Sequence, residues 1–193
     1  MTGKLEKTNE PYAIAKITGL KVCSILHENY KRDIICLMPT NVYGLNDNFF
    51  DIQSSHVIPG LISKFINAKN NNTDVQIWGS GKPIREFIHV DDVAKAIYTT
   101  LKVQNLYIKR IMKGKLPILN VGSGESLSIK KLSFLIKKLT NFKGNVYFDK
   151  NFPDGTLNKN LDSTIIKKLK WKAKIKLAEG LRRIIISRSH FLK

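Results

Sequence analysis

The chain has 193 residues, 42% of them hydrophobic, enough to bury a sizeable core in one domain or one and a half. No apolar run approaches the roughly 18 residues of a membrane span, and the first dozen residues lack the apolar segment of a secretory signal, so neither a membrane nor a secreted protein is expected. The net charge of +18 invites a nucleic-acid reading, but the lysines alternate with apolar residues at helical spacing, the pattern of solvated helix faces, and no zinc-ligand or aromatic-basic motif accompanies them.

In chain order, Glu10 to Tyr30 reads as a helix whose apolar side carries Ile14, Ile17, Val22, Ile25 and Leu26. Asp33 to Pro39, "DIICLMP", is a continuous apolar run stopped by proline, as in a strand buried on both faces. A loop is expected from Thr40 to His56, then a helix from Val57 with Pro59 in its first turn, where a missing N–H costs little. "DVQIWGSGKPIREFIHV" reads as strand, glycine-rich turn and strand, and Asp91 or Asp92 is the expected cap of the helix that follows. After a basic connector come a strand "LPILNV", a helix "SLSIKKLSFLIKKLT", a short strand "GNVYFD", a helix from about Asp162, and a last helix from Leu177 to Leu192. Such alternation predicts an α/β fold with at least part of a parallel sheet. Cys23 and Cys36 sit in apolar patterns and are expected as buried thiols in a reducing cytoplasm, since two cysteines make no disulfide framework.

Tyr12 and Lys16 stand four residues apart, on one face of the first helix. A phenol with pKa ~10 is a poor acid-base near neutrality. An ammonium one turn away favours the phenolate and draws that pKa toward the working range. Alone, this spacing is common in helices that do no chemistry.

Its neighbours give it weight. "NEPYAIAK", "MPTNVYG", "SSHVIPGLISKF", "IWGSGKPIREFIHVDD", "LNVGSGE" and "PDGT" follow one another in an order that resembles the extended short-chain dehydrogenase/reductases, the NAD-dependent epimerase/dehydratase family acting on nucleotide sugars. Within that family the motifs are most similar to the GDP-L-fucose synthases. The resemblance implies a truncated Rossmann-type sheet plus a smaller C-terminal α/β substrate-binding domain. Residues 1–50 would be a remnant of the NADP-binding domain; 51–193 would be mainly substrate-binding, with a strand and helix near 86–102 returning to the Rossmann sheet. It also implies NADP(H) as cofactor, a GDP-4-keto-6-deoxy sugar as substrate, a homodimer pairing through the first helix, and a cytoplasmic location.

By the same resemblance, Tyr12 would give a proton to the substrate ketone, while Lys16 lowers its pKa and holds the nicotinamide ribose. Pro39, Thr40, Asn41 and Val42 would line the nicotinamide, beyond the carboxyl end of a strand where open α/β sheets bind ligands. His56 would be the acid-base of epimerisation, an imidazole whose pKa ~6.5 permits transfer both ways; otherwise it caps a helix. Lys64 and Arg85 would meet phosphates, Arg85 with a bidentate fork. Trp78 would lie against guanine or sugar unless it is core, and Asp154 would bind sugar or base unless it only shapes a turn. "GSGES", Gly122 to Ser126, is expected to be a strand-to-helix turn without a cofactor role.

The departures are as informative. A Rossmann half opens with a strand and a glycine-rich turn that receives the pyrophosphate, and eleven residues before Tyr12 cannot hold it. The segment with the family's catalytic serine and epimerising cysteine is also unmatched, and neither Cys23 nor Cys36 occupies that place. Leu157 and Asn158 stand where relatives tend to carry Pro and Arg. The chain therefore reads as the C-terminal part of an epimerase-reductase, inactive alone, with a separate chain supplying the Rossmann half as one option. Another nucleotide-sugar epimerase or dehydratase, or a non-catalytic basic protein keeping the fold, are the alternatives.

Overall fold

The structure, a computed structural model, describes residues 4–51, 54–103, 105–113 and 115–189. A 3₁₀ turn at Lys7–Asn9 leads into helix α1 (Glu10–Tyr30), with Pro11 in its first turn. Strands β1 (Cys36–Pro39) and β2 (Asn41–Tyr43) follow, then helix α2 (Val57–Asn71), strand β3 (Val75–Trp78), strand β4 (Ile84–His89) and helix α3 (Val90–Lys102). A short helix α4 (Asn105–Ile111) precedes β5 (Ile118–Val121), β6 (Ser126–Ser128), helix α5 (Ile129–Thr140) and β7 (Val146–Asp149). β8 (Asn158–Lys159), helix α6 (Thr164–Lys168) and helix α7 (Leu177–Ser189) complete the order. The expected end of the last helix, from His190 to Leu192, lies outside the described residues.

The expected α/β class is what is observed, with mostly parallel pairing. β1 pairs in parallel with β5, β3 with β7, and β4 with both β2 and β8, while β4 and β6 run antiparallel. The strand–turn–strand read around Gly79 and Gly81 is therefore not a hairpin: β3 and β4 leave the turn for different sheets. Both glycines take positive φ, +81° and +73°, a conformation that costs other residues a Cβ clash.

One apolar cluster joins α2, α5 and α7 to β3, centred on Ile62, Phe65, Leu132, Ile136 and Leu181. A second packs Ile88, Ala96, Leu119, Val121, Ile166 and Trp171 between β5, α3 and α6. Helix ends are closed locally. The Ser128 side chain accepts from the Lys131 amide at the start of α5, and Asn72 and Asn141 close α2 and α5 in the left-handed conformation that asparagine tolerates.

Several expectations are corrected. The cap of α3 is His89, whose Nδ1 accepts from the Asp91 amide at 3.2 Å. Asp91 and Asp92 instead sit in the first turn, where negative charge meets the positive end of the helix dipole. β1 is half-buried rather than buried on both faces, because it pairs with β5 alone among the described residues. α1 buries no residue, so its apolar side lies open. Cys23 and Cys36 are half-buried, not core. Burial, reinforced by a hydrogen bond between the two thiols, pushes the Cys36 thiol up to about 11. Residues 41–43, expected in a loop, form β2, and the basic connector contains α4.

Candidate functional site

β1 and β2 end beside β4, and their side chains tie the three strands together. Thr40 Oγ1 and Asn41 Nδ2 both donate to the Glu86 carbonyl, at 3.0 and 2.7 Å, and the Thr40 amide donates to the Val121 carbonyl. Of the four residues expected along a nicotinamide, Val42 therefore presents its side chain to a cleft of about 600 Å³. His56 lies on the same cleft. It occupies the N-cap position of α2 in extended conformation but makes no side-chain cap bond, so its ring is not spent on the helix.

The cleft also takes in Tyr43, His89 and Arg183, which the sequence reading gave no role, and Asp91, which it expected only as a helix cap. Tyr43 and His89 meet edge to face with centroids 5.3 Å apart. The Tyr43 hydroxyl is buried with no hydrogen-bond partner, and burial raises its pKa well above the usual phenol value. A Cβ on Gly180 of α7 would collide with that hydroxyl and with the His89 ring, so the close approach of α7 needs a glycine there. Arg183 is held by an ion pair to Glu179 one turn away.

Tyr12 and Lys16 share a face of α1, the Lys16 ammonium 5.2 Å from the Tyr12 ring centre. Tyr12 is 60% exposed, and neither residue lines the cleft that holds Val42 and His56.

The remaining candidates gather around the β3–β4 turn. Trp78 lies 43% exposed at the end of β3, so it is not core, and stacks on Phe152 with centroids 4.9 Å apart and planes inclined by 18°. Lys64 reaches up from α2, places its ammonium 4.2 Å from the Trp78 ring centre and donates to the Gln76 carbonyl. Partial burial lowers its pKa, which is the cost of keeping an ammonium against an indole. Arg85 donates to the Thr156 carbonyl, and burial lowers its pKa while the Glu6 and Asp154 charges act the other way. Asp154 accepts from the Ser80 amide at 2.9 Å and the Ser80 hydroxyl at 2.5 Å, which hold its carboxyl below the usual range. Its carboxyl thus clamps the turn that carries Gly79. An exposed stacked pair flanked by an ammonium and a guanidinium can receive a flat base and a phosphate chain.

The second glycine-rich turn offers no anion cradle. The Gly124 amide donates to Glu86 Oε1 and the Gly122 amide to Ser163 Oγ, so the amides are taken and a carboxyl group already sits among them.

The chain matches the model of the NAD dependent epimerase/dehydratase family over residues 1–122. It is 45% identical over 182 residues to a putative GDP-L-fucose synthase 2 of Arabidopsis thaliana, a match covering 94% of this chain and 52% of the relative. To the GDP-L-fucose synthase of Escherichia coli it is 44% identical, covering 94% and 56%. A GDP-mannoheptose C4 reductase from Campylobacter jejuni, solved with NADP bound, superposes with a TM-score of 0.78 at 28% identity, covering 97% of this chain and 62% of that one. The chain spans about half the length of the curated relatives it matches.

Proposed function

Because this chain belongs to the NAD dependent epimerase/dehydratase family, we propose that it is the substrate-side part of a GDP-sugar epimerase-reductase that makes GDP-L-fucose from GDP-4-keto-6-deoxy-D-mannose with NADPH. The observation that carries this reading is the Trp78–Phe152 stack with Lys64 over it and Arg85 nearby, a receiver for base and phosphates. The identity of about 45% to GDP-L-fucose synthases supports the choice of sugar nucleotide.

In this reading guanine stacks on the Trp78–Phe152 pair at the face Lys64 covers, and Lys64 swings off the ring to meet the diphosphate with Arg85. The sugar reaches toward the cleft of Val42 and His56. His56 moves the proton at the carbon beside the ketone, because its imidazole is not spent on the helix cap and faces the cleft. Tyr12 gives a proton to the ketone oxygen, with Lys16 stabilising the phenolate left behind. NADPH supplies the hydride when bound. Val42 fits the apolar face of a nicotinamide, whereas the described residues hold no glycine-rich turn with free amides for its pyrophosphate. In addition α1 buries nothing, so Tyr12 is not pressed toward the cleft. The chain alone should therefore bind GDP, hold NADPH weakly and complete no turnover. Incubating the purified chain with the keto-sugar nucleotide and NADPH tests this by product analysis. No GDP-L-fucose is expected, and steady product formation would show that Tyr12 works without a further covering element.

α1 is also where a partner belongs. Ile14, Val22 and Ile25 are exposed on a helix of 21 residues, and we assign them to pairing with a second copy of this chain.

A further inference from the structure

A second cleft, of about 570 Å³, opens between α3 and the segment that follows α6. Its walls carry Lys95, Lys167, Lys170, Lys172 and Lys174, and among the described residues no carboxyl group lines it. It shares no residue with the cleft of Val42 and His56 or with the Trp78 platform.

This cluster differs from an ordinary solvated helix face in how it is held. Trp171, between Lys170 and Lys172, is 5% exposed and anchored in the second apolar cluster. Asp92 of α3 is fully buried, and its Oδ2 accepts from the Lys174 and Ile175 amides at 3.0 and 2.8 Å, pinning the lysine-bearing segment onto α3. Lys170 takes φ +62°, a left-handed position where glycine or asparagine is the unstrained choice. Two of the lysines have an acid in reach. Lys95 lies 4.0 Å from Asp92 Oδ1, and Lys167 acts on Asp162, which is itself bonded to Thr164. Among the described residues Lys170, Lys172 and Lys174 make no ion pair, so the lysines along this cleft outnumber the acids in reach of them. Tyr98, 62% exposed, offers a ring at the cleft.

Fixed like charges around a concavity repel one another and raise the local potential for anions. A short phosphate chain supplies several acceptor oxygens and the compensating charge within that space. We propose that this cleft binds a small polyphosphate anion, with Lys170, Lys172 and Lys174 on its phosphate oxygens.

The test is calorimetric titration of inorganic tripolyphosphate into the full chain, with Lys170→Gly, Lys172→Ala, Lys143→Ala and Arg85→Ala variants. One-to-one binding is expected, weakened at least about tenfold by Lys170→Gly and by Lys172→Ala. Lys143→Ala, at an exposed position outside the cleft lining, should leave it unchanged, and a loss confined to Arg85→Ala would place the anion at the Trp78 platform and overturn the proposal. Lys170→Gly should also keep or raise the melting temperature, because glycine suits its backbone, which separates lost binding from lost folding. ATP binding more tightly than tripolyphosphate, with the gain lost in Tyr98→Ala, would identify a nucleotide; equal affinities would identify the bare phosphate chain. Multiple weak binding, or equal losses for Lys143→Ala and Lys170→Gly, would overturn the site as a diffuse basic face. So would a preference for duplex DNA that all variants share.

Discussion

Glu86 is 2% exposed in the middle of β4, and its carboxyl group receives the Gly124 amide at 2.7 Å and the Leu161 amide at 3.1 Å. One side chain thus ties the strand that carries Arg85 to the turn after β5 and to the segment before α6. Glu86→Gln turns an amide NH₂ toward one of those donors, leaving a buried N–H unpaired at about 1–3 kcal/mol. Urea unfolding should show that loss with an unchanged slope; an unaltered midpoint would show the carboxyl group is dispensable. Asp154 makes a pH-dependent claim. Its folded pKa is depressed by Ser80, so the clamp contributes fully above the unfolded value and is lost as pH falls through the lower, folded one. The Ser80 amide resonance should titrate with a midpoint below 3.8, and a midpoint at or above that value would contradict the clamp. Tyr12, Lys16 and Arg85 stand out in the sequence because spacing and flanking motif single them out, and their roles are the ones proposed above. Tyr43, His89 and Phe152 were not, because each becomes relevant only through a contact: Phe152 lies 74 positions from the indole it stacks on.

Long periodic helices were read correctly because one apolar face must be buried, and α2 and α5 do bury theirs. β2, β6 and β8, of three, three and two residues, are too short for any period to register and exist only through pairing with β4. α1 shows the opposite failure. Its apolar side was visible, but the sequence does not say what covers it. The proposed pairing predicts a dimer in sedimentation experiments that Ile25→Glu converts to monomer. The melting temperature of that monomer should be within a degree or two of wild-type monomer, since Ile25 is exposed within one copy. A wild-type chain that sediments as monomer at every concentration would sink the assignment. Hydrogen exchange should follow the same logic, with α1 amides exchanging faster than those of α2 until a partner is present.

Across the molecule, parallel pairing and two apolar clusters support both the Trp78–Arg85 face proposed to receive GDP and the Val42–His56 cleft. The α/β class was legible from alternating periods, whereas the distribution of strands over separate small sheets was not, because register and partner choice are tertiary. The lysine-rich end was read as solvated faces, and its lysines are exposed, with part of them lying along a concavity that the sequence did not show. The central claim is that the Trp78 and Arg85 face recognises a GDP-sugar. Calorimetric titration of GDP and UDP into wild type, Trp78→Ala and Arg85→Ala tests it most directly. The account predicts GDP binding preferred over UDP and weakened about tenfold or more by either substitution. GDP binding that neither substitution alters, or an equal or stronger affinity for UDP, would contradict it.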